Sequence, residues 1–260
     1  MRGVPVEVSL RAARAEGRKL FVPYVTGGLR DDWVDVLLAM AEAGADAIEV
    51  GLPFSDPMVD GPTIQEASLR ALERGTTPSS VLGELRATDV AVPLVVMTYC
   101  NLMLRAGAKR FASELAAAGI RGAIVPDLPL EESEEWEGCA AAEGVETVLL
   151  AAPVSPDDRL SAICERSHGF VYGVNLMGVT GERDNLATSS SVLAKRLKVV
   201  TDKPVLMGFG ISGPDQAVAA AAHSDGVVVA SALMRAALDG ASPDQIAARV
   251  EAIRAGLDGR

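Results

Sequence analysis

Short runs of apolar, often β-branched residues recur along the chain, at 20–26, 46–50, 93–99, 122–126, 146–151, 169–175, 204–208 and 225–230. Their length and make-up predict strands, and the stretches between them carry apolar residues at helical spacing. Val34, Leu37, Leu38 and Ala41 predict one helix face, which Gly44 ends. Leu160, Ile163 and Cys164 predict another after Ser155-Pro156, with serine as cap and proline in the first turn. Thr77-Pro78, Gly213-Pro214 and Ser242-Pro243 repeat that start signal. Eight strand–helix alternations without a Gly/Ser-rich or Pro-rich linker predict an α/β chain folded as one domain over 1–260. The architecture expected is a parallel (β/α)8 barrel preceded by an extra N-terminal helix, with a doubly wound open sheet as the alternative. The intervals after the second and sixth runs are long, which predicts extended loops there. In a barrel such length lies on the C-terminal face, where active sites are built. Segments 50–61 and 176–191 then share one face.

Composition narrows the class. Hydrophobic residues make up 49% of the 260 and aromatics only 4%, so the core is expected to be aliphatic and rich in alanine. A net charge of −11, with no basic stripe, argues against a nucleic-acid surface. A phosphorylated ligand would have to be gripped by backbone N–H groups and helix dipoles. Cys100, Cys139 and Cys164 are odd in number and lack ligand spacing, and His168 and His223 are too few for a zinc site. No metal is expected, and the thiols fit a reducing, cytoplasmic compartment. No apolar run reaches membrane-spanning length, and residues 1–5 lead into a charged helical stretch, unlike a signal peptide.

The chemistry concentrates after the second run. In 46–50 Ile48 and Val50 share one face, Ala47 and Glu49 the other. An ionisable group in an apolar strand is expensive to bury. Beyond it Pro53 and Pro57 stiffen a loop bounded by Gly51 and Gly61, with Pro62 following, and so aim Asp56 and Asp60. Taken alone, Glu49 reads equally as a solvated strand-end acid and Asp60 as a turn former. In an aliphatic pocket Glu49 would titrate high enough to pass a proton either way, while Asp60, among polar neighbours, would stay ionised. Gly208-Phe209-Gly210 after the seventh run and Ala230-Ser231 after the eighth offer amides and a helix start, the parts of a barrel phosphate site. Two glycines near a strand end are otherwise only a tight turn. The segment 178–184 is rich in glycine and charge, which by itself describes a surface loop.

The stretch from Glu49 to Gln65 resembles the signature of the tryptophan synthase alpha subunit family. The likeness extends through 21–26, Met97-Thr98-Tyr99-Cys100-Asn101 and 125–132, and covers most of the chain. It implies a TIM barrel that cleaves indole-3-glycerol phosphate to indole and glyceraldehyde 3-phosphate by a retro-aldol reaction. By the same resemblance Glu49 shuttles protons and Asp60 holds the indole N–H. Tyr24, Ile64, Met97, Ile124, Tyr172, Thr180 and Phe209 are implied at the substrate, and Gly181, Gly210, Ala230 and Ser231 at its phosphate. The loop after the sixth run becomes a lid, with Thr180 bonded to the catalytic aspartate. No cofactor is implied for this chain. Pyridoxal phosphate belongs to a beta subunit, which takes the indole and joins the alpha chain in an alpha2-beta2 heterotetramer. Pro53, Phe54, Asp56, Pro57 and Met58 are implied partner contacts, and apolar Phe54 and Met58 on a rigid loop read as an exposed docking patch. The chain departs from the family pattern at Ala230, where glycine is usual, at Asn175-Leu176-Met177 and at Gly27-Gly28-Leu29-Arg30. Three other readings stand beside this one: a different phosphosugar barrel enzyme such as an isomerase, a stand-alone indole-releasing lyase, and a weakly catalytic activator of a beta subunit.

Overall fold

Eight parallel strands follow one another round a closed barrel in sequence order, and β1 returns to pair with β8. The computed structural model describes residues 4–174, 183–208 and 210–259. In chain order the first half contains α1 (Val6–Ala15), β1 (Leu20–Thr26), α2 (Trp33–Glu42), β2 (Ile48–Gly51), α3 (Pro62–Glu73), α4 (Pro78–Ala87), β3 (Leu94–Met97), α5 (Cys100–Ala106), α6 (Ala108–Ala117) and β4 (Ile120–Ile124). The second half contains α7 (Glu134–Ala142), β5 (Glu146–Ala151), α8 (Asp157–Arg166), β6 (Val171–Val174), α9 (Arg183–Val200), β7 (Val205–Gly208), α10 (Pro214–Ala221), β8 (Gly226–Val229), α11 (Ser231–Leu238) and α12 (Pro243–Leu257). The open sheet is excluded by the β1–β8 register, Leu20↔Gly226 to Pro23↔Val229.

Alternation along the strands sorts side chains into two layers. Ile48, Val50 and Val96 pack outward against the helices, while Ala47, Val95, Ile124, Val148 and Leu206 fill the barrel. Helix α1 has no counterpart in that ring; it is the extra N-terminal helix, and Val6 and Leu10 on it are fully buried among the interior residues Leu20, Val22 and Phe170. The Glu7 N–H donates to the Glu146 carboxylate at 3.1 Å, and Arg14 reaches Asp202 and Asp225 ahead of β7 and β8. These contacts lie at the strands' N-terminal ends, so α1 closes that end and the opposite end is left for a ligand.

Three local expectations need correction. The inward face of α2 is Trp33, Val36, Leu37 and Met40, whereas Val34, Leu38 and Ala41 are only partly buried. That helix is apolar on most of its circumference, so two stripes fit the same spacing. The bulky Trp33 takes the inner one and donates its ring N–H to Glu84 at 2.8 Å. Helix α8 begins at Asp157, and its cap is Pro156 in extended conformation, so Ser155 does not cap it. Thr77 and Ser242 do cap α4 and α12, each through a reciprocal pair with the residue three places on, Ser80 and Gln245. Finally β4 starts at Ile120, before the predicted run, because its pairing with β3 slips between Leu94 and Val95 and absorbs an extra residue.

Candidate active site

Glu49 stands on β2 between Tyr24 of β1 and Val95 of β3. The alternation that sends Ile48 and Val50 to the helices turns Glu49 inward, where it is 1% exposed. Its Oε2 is buried with no hydrogen-bond partner among the described residues. Burial, and then the neighbouring Asp60 charge, push its carboxyl up to about 8. At neutral pH the acid form therefore predominates.

Asp60 closes the loop 52–61 immediately before α3. Its N–H donates to the Pro57 carbonyl at 3.1 Å, and its carbonyl accepts from Gln65 Nε2 at 2.9 Å. The Tyr99 hydroxyl donates to its Oδ2 at 2.9 Å. The surroundings are drier than the polar setting expected from the sequence. Burial raises this carboxyl to about 6, with the Tyr99 hydrogen bond opposing the rise. Two acids side by side thus titrate apart, about 8 against about 6, which separates a proton donor from a carboxylate at one pH.

The chain's three tyrosines, Tyr24, Tyr99 and Tyr172, all gather round these acids. Burial first, then the nearby acidic groups, raises each phenol above its ordinary range, so all three remain neutral. Room for two of the rings comes from glycine. A Cβ on Gly51 would lie 1.8 Å from the Tyr24 hydroxyl oxygen, and one on Gly208 would lie 2.5 Å from the Tyr172 ring. Met97, Ile124 and Tyr172 pack with the barrel interior; Tyr24, on the same face of β1 as Leu20 and Val22, also touches the cluster that holds Ile64. Tyr99 was read from the sequence only as part of the likeness around the third strand. The usable signal was an aromatic at a strand end in a chain poor in aromatics.

Three of the expected phosphate residues follow the ends of the neighbouring strands β7 and β8, which pair as Leu206↔Gly226 and Met207↔Val227. Gly210 is exposed with φ +43°, Ala230 is the residue before α11, and exposed Ser231 opens that helix. The first turn of a helix leaves N–H groups without intrahelical partners and favours an anion. Thr180, Gly181 and Phe209 lie outside the described residues, as does most of the predicted lid. Among the described residues no group of three or more His, Cys, Asp or Glu is arranged to hold a metal ion.

The loop 53–58 differs in detail from an exposed docking patch. Pro53 is buried and Pro57 half-buried. Phe54 turns inward and stacks on Tyr99, ring centroids 4.9 Å apart and planes at 24°. Ser55, Asp56 and Met58, the last 89% exposed, are the side chains that face outward.

Comparison with known proteins agrees with this geometry. The family model described as tryptophan synthase alpha chain matches residues 10–258. The tryptophan synthase alpha chain of Gloeobacter violaceus is 45% identical over 229 residues, 86% of this chain and 83% of that one. That of Streptomyces avermitilis is 42% identical over 258 residues, 98% of this chain and 92% of its own. A solved structure of Mycobacterium tuberculosis tryptophan synthase superposes with a TM-score of 0.89 at 38% identity, covering 97% of each chain. The chain belongs to the tryptophan synthase alpha chain family, a family of tryptophan biosynthesis.

Proposed function

We propose that this chain cleaves indole-3-glycerol phosphate by a retro-aldol reaction, releasing indole and glyceraldehyde 3-phosphate. Family membership carries the coarser statement, a lyase of tryptophan biosynthesis. The observation that carries the finer one is the inward pair: Glu49 at about 8, with an oxygen unpartnered among the described residues, beside Asp60 at about 6. Neutral Glu49 gives its proton to C3 of the indole ring. Positive charge then develops at the ring nitrogen, and the Asp60 carboxylate, accepting the N–H, stabilises it. Glu49, now a carboxylate, takes the proton of the adjacent side-chain hydroxyl as the carbon–carbon bond breaks. Electrons of that bond return to the ring, the hydroxyl carbon becomes the aldehyde, and Glu49 ends protonated as it began.

The phosphate is held, in this reading, by the amides at Gly210, Ala230 and Ser231 together with Gly181. Binding energy spent there holds the reacting carbon against Glu49. The apolar wall is formed by Tyr24, Met97, Ile124 and Tyr172, with Ile64 and Phe209 completing it and Thr180 bonding the catalytic aspartate. No cofactor enters any step. We also propose a beta subunit as partner, with pyridoxal phosphate on that subunit and an alpha2-beta2 assembly. The solved neighbour is named as tryptophan synthase, which supports a partnered enzyme. Asp56, Pro57 and Met58 are the loop residues that meet it.

The test is indole release from indole-3-glycerol phosphate by the purified chain, with and without a beta subunit. Release that is competed by inorganic phosphate supports the reading. Absence of indole under both conditions overturns it.

A further inference from the structure

We infer that Tyr99 is a positioning residue for Asp60, holding its carboxylate from the rigid end of β3 and tying it to the partner-facing loop through Phe54 and Val59. The inference rests on the role proposed for Asp60. Three contacts of one buried side chain carry it. The hydroxyl donates to Asp60 Oδ2 at 2.9 Å and accepts from the Val59 N–H at 3.3 Å, while the ring stacks on Phe54.

The platform is firm where the loop is not. Tyr99 precedes α5, and its carbonyl accepts from the Leu102 and Met103 N–H groups at 3.0 and 3.3 Å. The ring is 4% exposed. By contrast Ser55, Asp56, Met58 and Val59 face outward, so the loop itself offers Asp60 little packing. A phenol has one proton to give, and here it goes to the carboxylate. The amide of Val59 polarises the same oxygen from behind, which strengthens the donation. Asp60 is thereby aimed from the junction of β3 and α5, with its second oxygen left for the indole N–H. Movement of Phe54 by a docked partner would reach Asp60 through the same ring.

Among the described residues the groups facing Asp60 are Glu49 from β2, Tyr24 from β1, Tyr172 from β6 and Tyr99 itself. Of these, Tyr99 is the one whose hydrogen bond lowers the Asp60 carboxyl against the effect of burial. Tyr99→Phe keeps the ring on Phe54 and deletes the donor. With the ionised form less well held, Asp60 should titrate at higher pH than in the wild type.

The experiment follows the Asp60 carboxyl directly, by carbon-13 NMR of the labelled full-length chain, in the wild type and Tyr99→Phe. Turnover is measured in parallel with the beta subunit present. The expected result is a wild-type midpoint near 6, a higher midpoint in the variant, and an acid limb of kcat/KM displaced by the same amount. The kcat should fall about tenfold, the scale of a lost hydrogen bond to a charged group, while KM changes little. An unmoved midpoint with kcat unchanged overturns the inference. If the wild type releases no indole, the proposed reaction fails, yet the carboxyl titration still judges Tyr99. Should Tyr99→Phe not fold, the ring carbon bearing the wild-type Tyr99 hydroxyl must show a step at the Asp60 midpoint, and a flat trace overturns the inference.

Discussion

Glu49 and Asp60 titrate on opposite sides of neutrality, so the pH profile of the proposed reaction follows with its signs. Asp60 must be ionised, and activity falls as pH drops through about 6. Glu49 must be protonated to begin, and activity falls as pH rises through about 8. A bell between those values is expected in kcat/KM, and a profile flat across both would show that neither carboxyl acts. Glu49→Gln should lower kcat by ~10²–10⁴ while substrate still binds, as isothermal titration with the variant would show. Turnover within a few-fold of wild type would make Glu49 structural. The same raised value has a stability consequence. The folded state holds the Glu49 proton to higher pH than the unfolded state does, so this group's burial costs nothing below its unfolded value and costs progressively more up to about 8. Glu49→Gln should therefore gain stability over the wild type at alkaline pH and not at acid pH, in denaturant titrations at both. At this scale Glu49 stood out because an ionisable residue in an apolar strand is a local anomaly, and Asp60 because a proline-stiffened loop and the family likeness pointed to it. Tyr99 was not, because the residue it serves is 39 positions away and only the fold brings them together.

Between single residues and the whole barrel, what the chain announces locally and what packing decides come apart. Start signals at Thr77 and Ser242 describe α4 and α12 correctly, since a cap is made within four residues. Removing either hydroxyl, as in Thr77→Ala, should cost about 1 kcal/mol in chemical denaturation, the usual worth of a helix cap. The inward face of α2 was not legible, because Trp33 and Val34 open two equally apolar stripes and only the shape of the barrel wall chooses. The same holds for the slipped register at Leu94, which leaves no mark on the run itself. Loop 52–61 carries its own prediction. Asp56 is exposed and points away from the acids, so Asp56→Ala should reduce activation by a beta subunit and leave the slow activity of the isolated chain unchanged. Turnover of both proteins, with and without beta subunit, decides it; equal activation would move the coupling to another loop.

Across the whole molecule the barrel has one sealed end and one working end. The strand order and the eight runs were readable because each strand is a short, self-contained apolar segment, while closure depends on β1 meeting β8 across nearly the full sequence. If ligands at the proposed site favour partner binding, reciprocity requires the partner to tighten those ligands by the same factor. Glycerol 3-phosphate should then raise beta affinity in titration calorimetry, and no change would separate the two sites energetically.

The helix that seals the barrel has a consequence for biosynthesis. On α1, Val6 and Leu10 are made before every strand they cover, whereas Arg14 finds Asp202 only 188 residues later. Until the last two strands leave the ribosome, that helix has an apolar face and only part of the floor it finally sits on. The finished plug is thus a record of completed synthesis. A nascent chain stalled before β7 should expose it to chaperones and proteases, and one released with β8 in place should hide it.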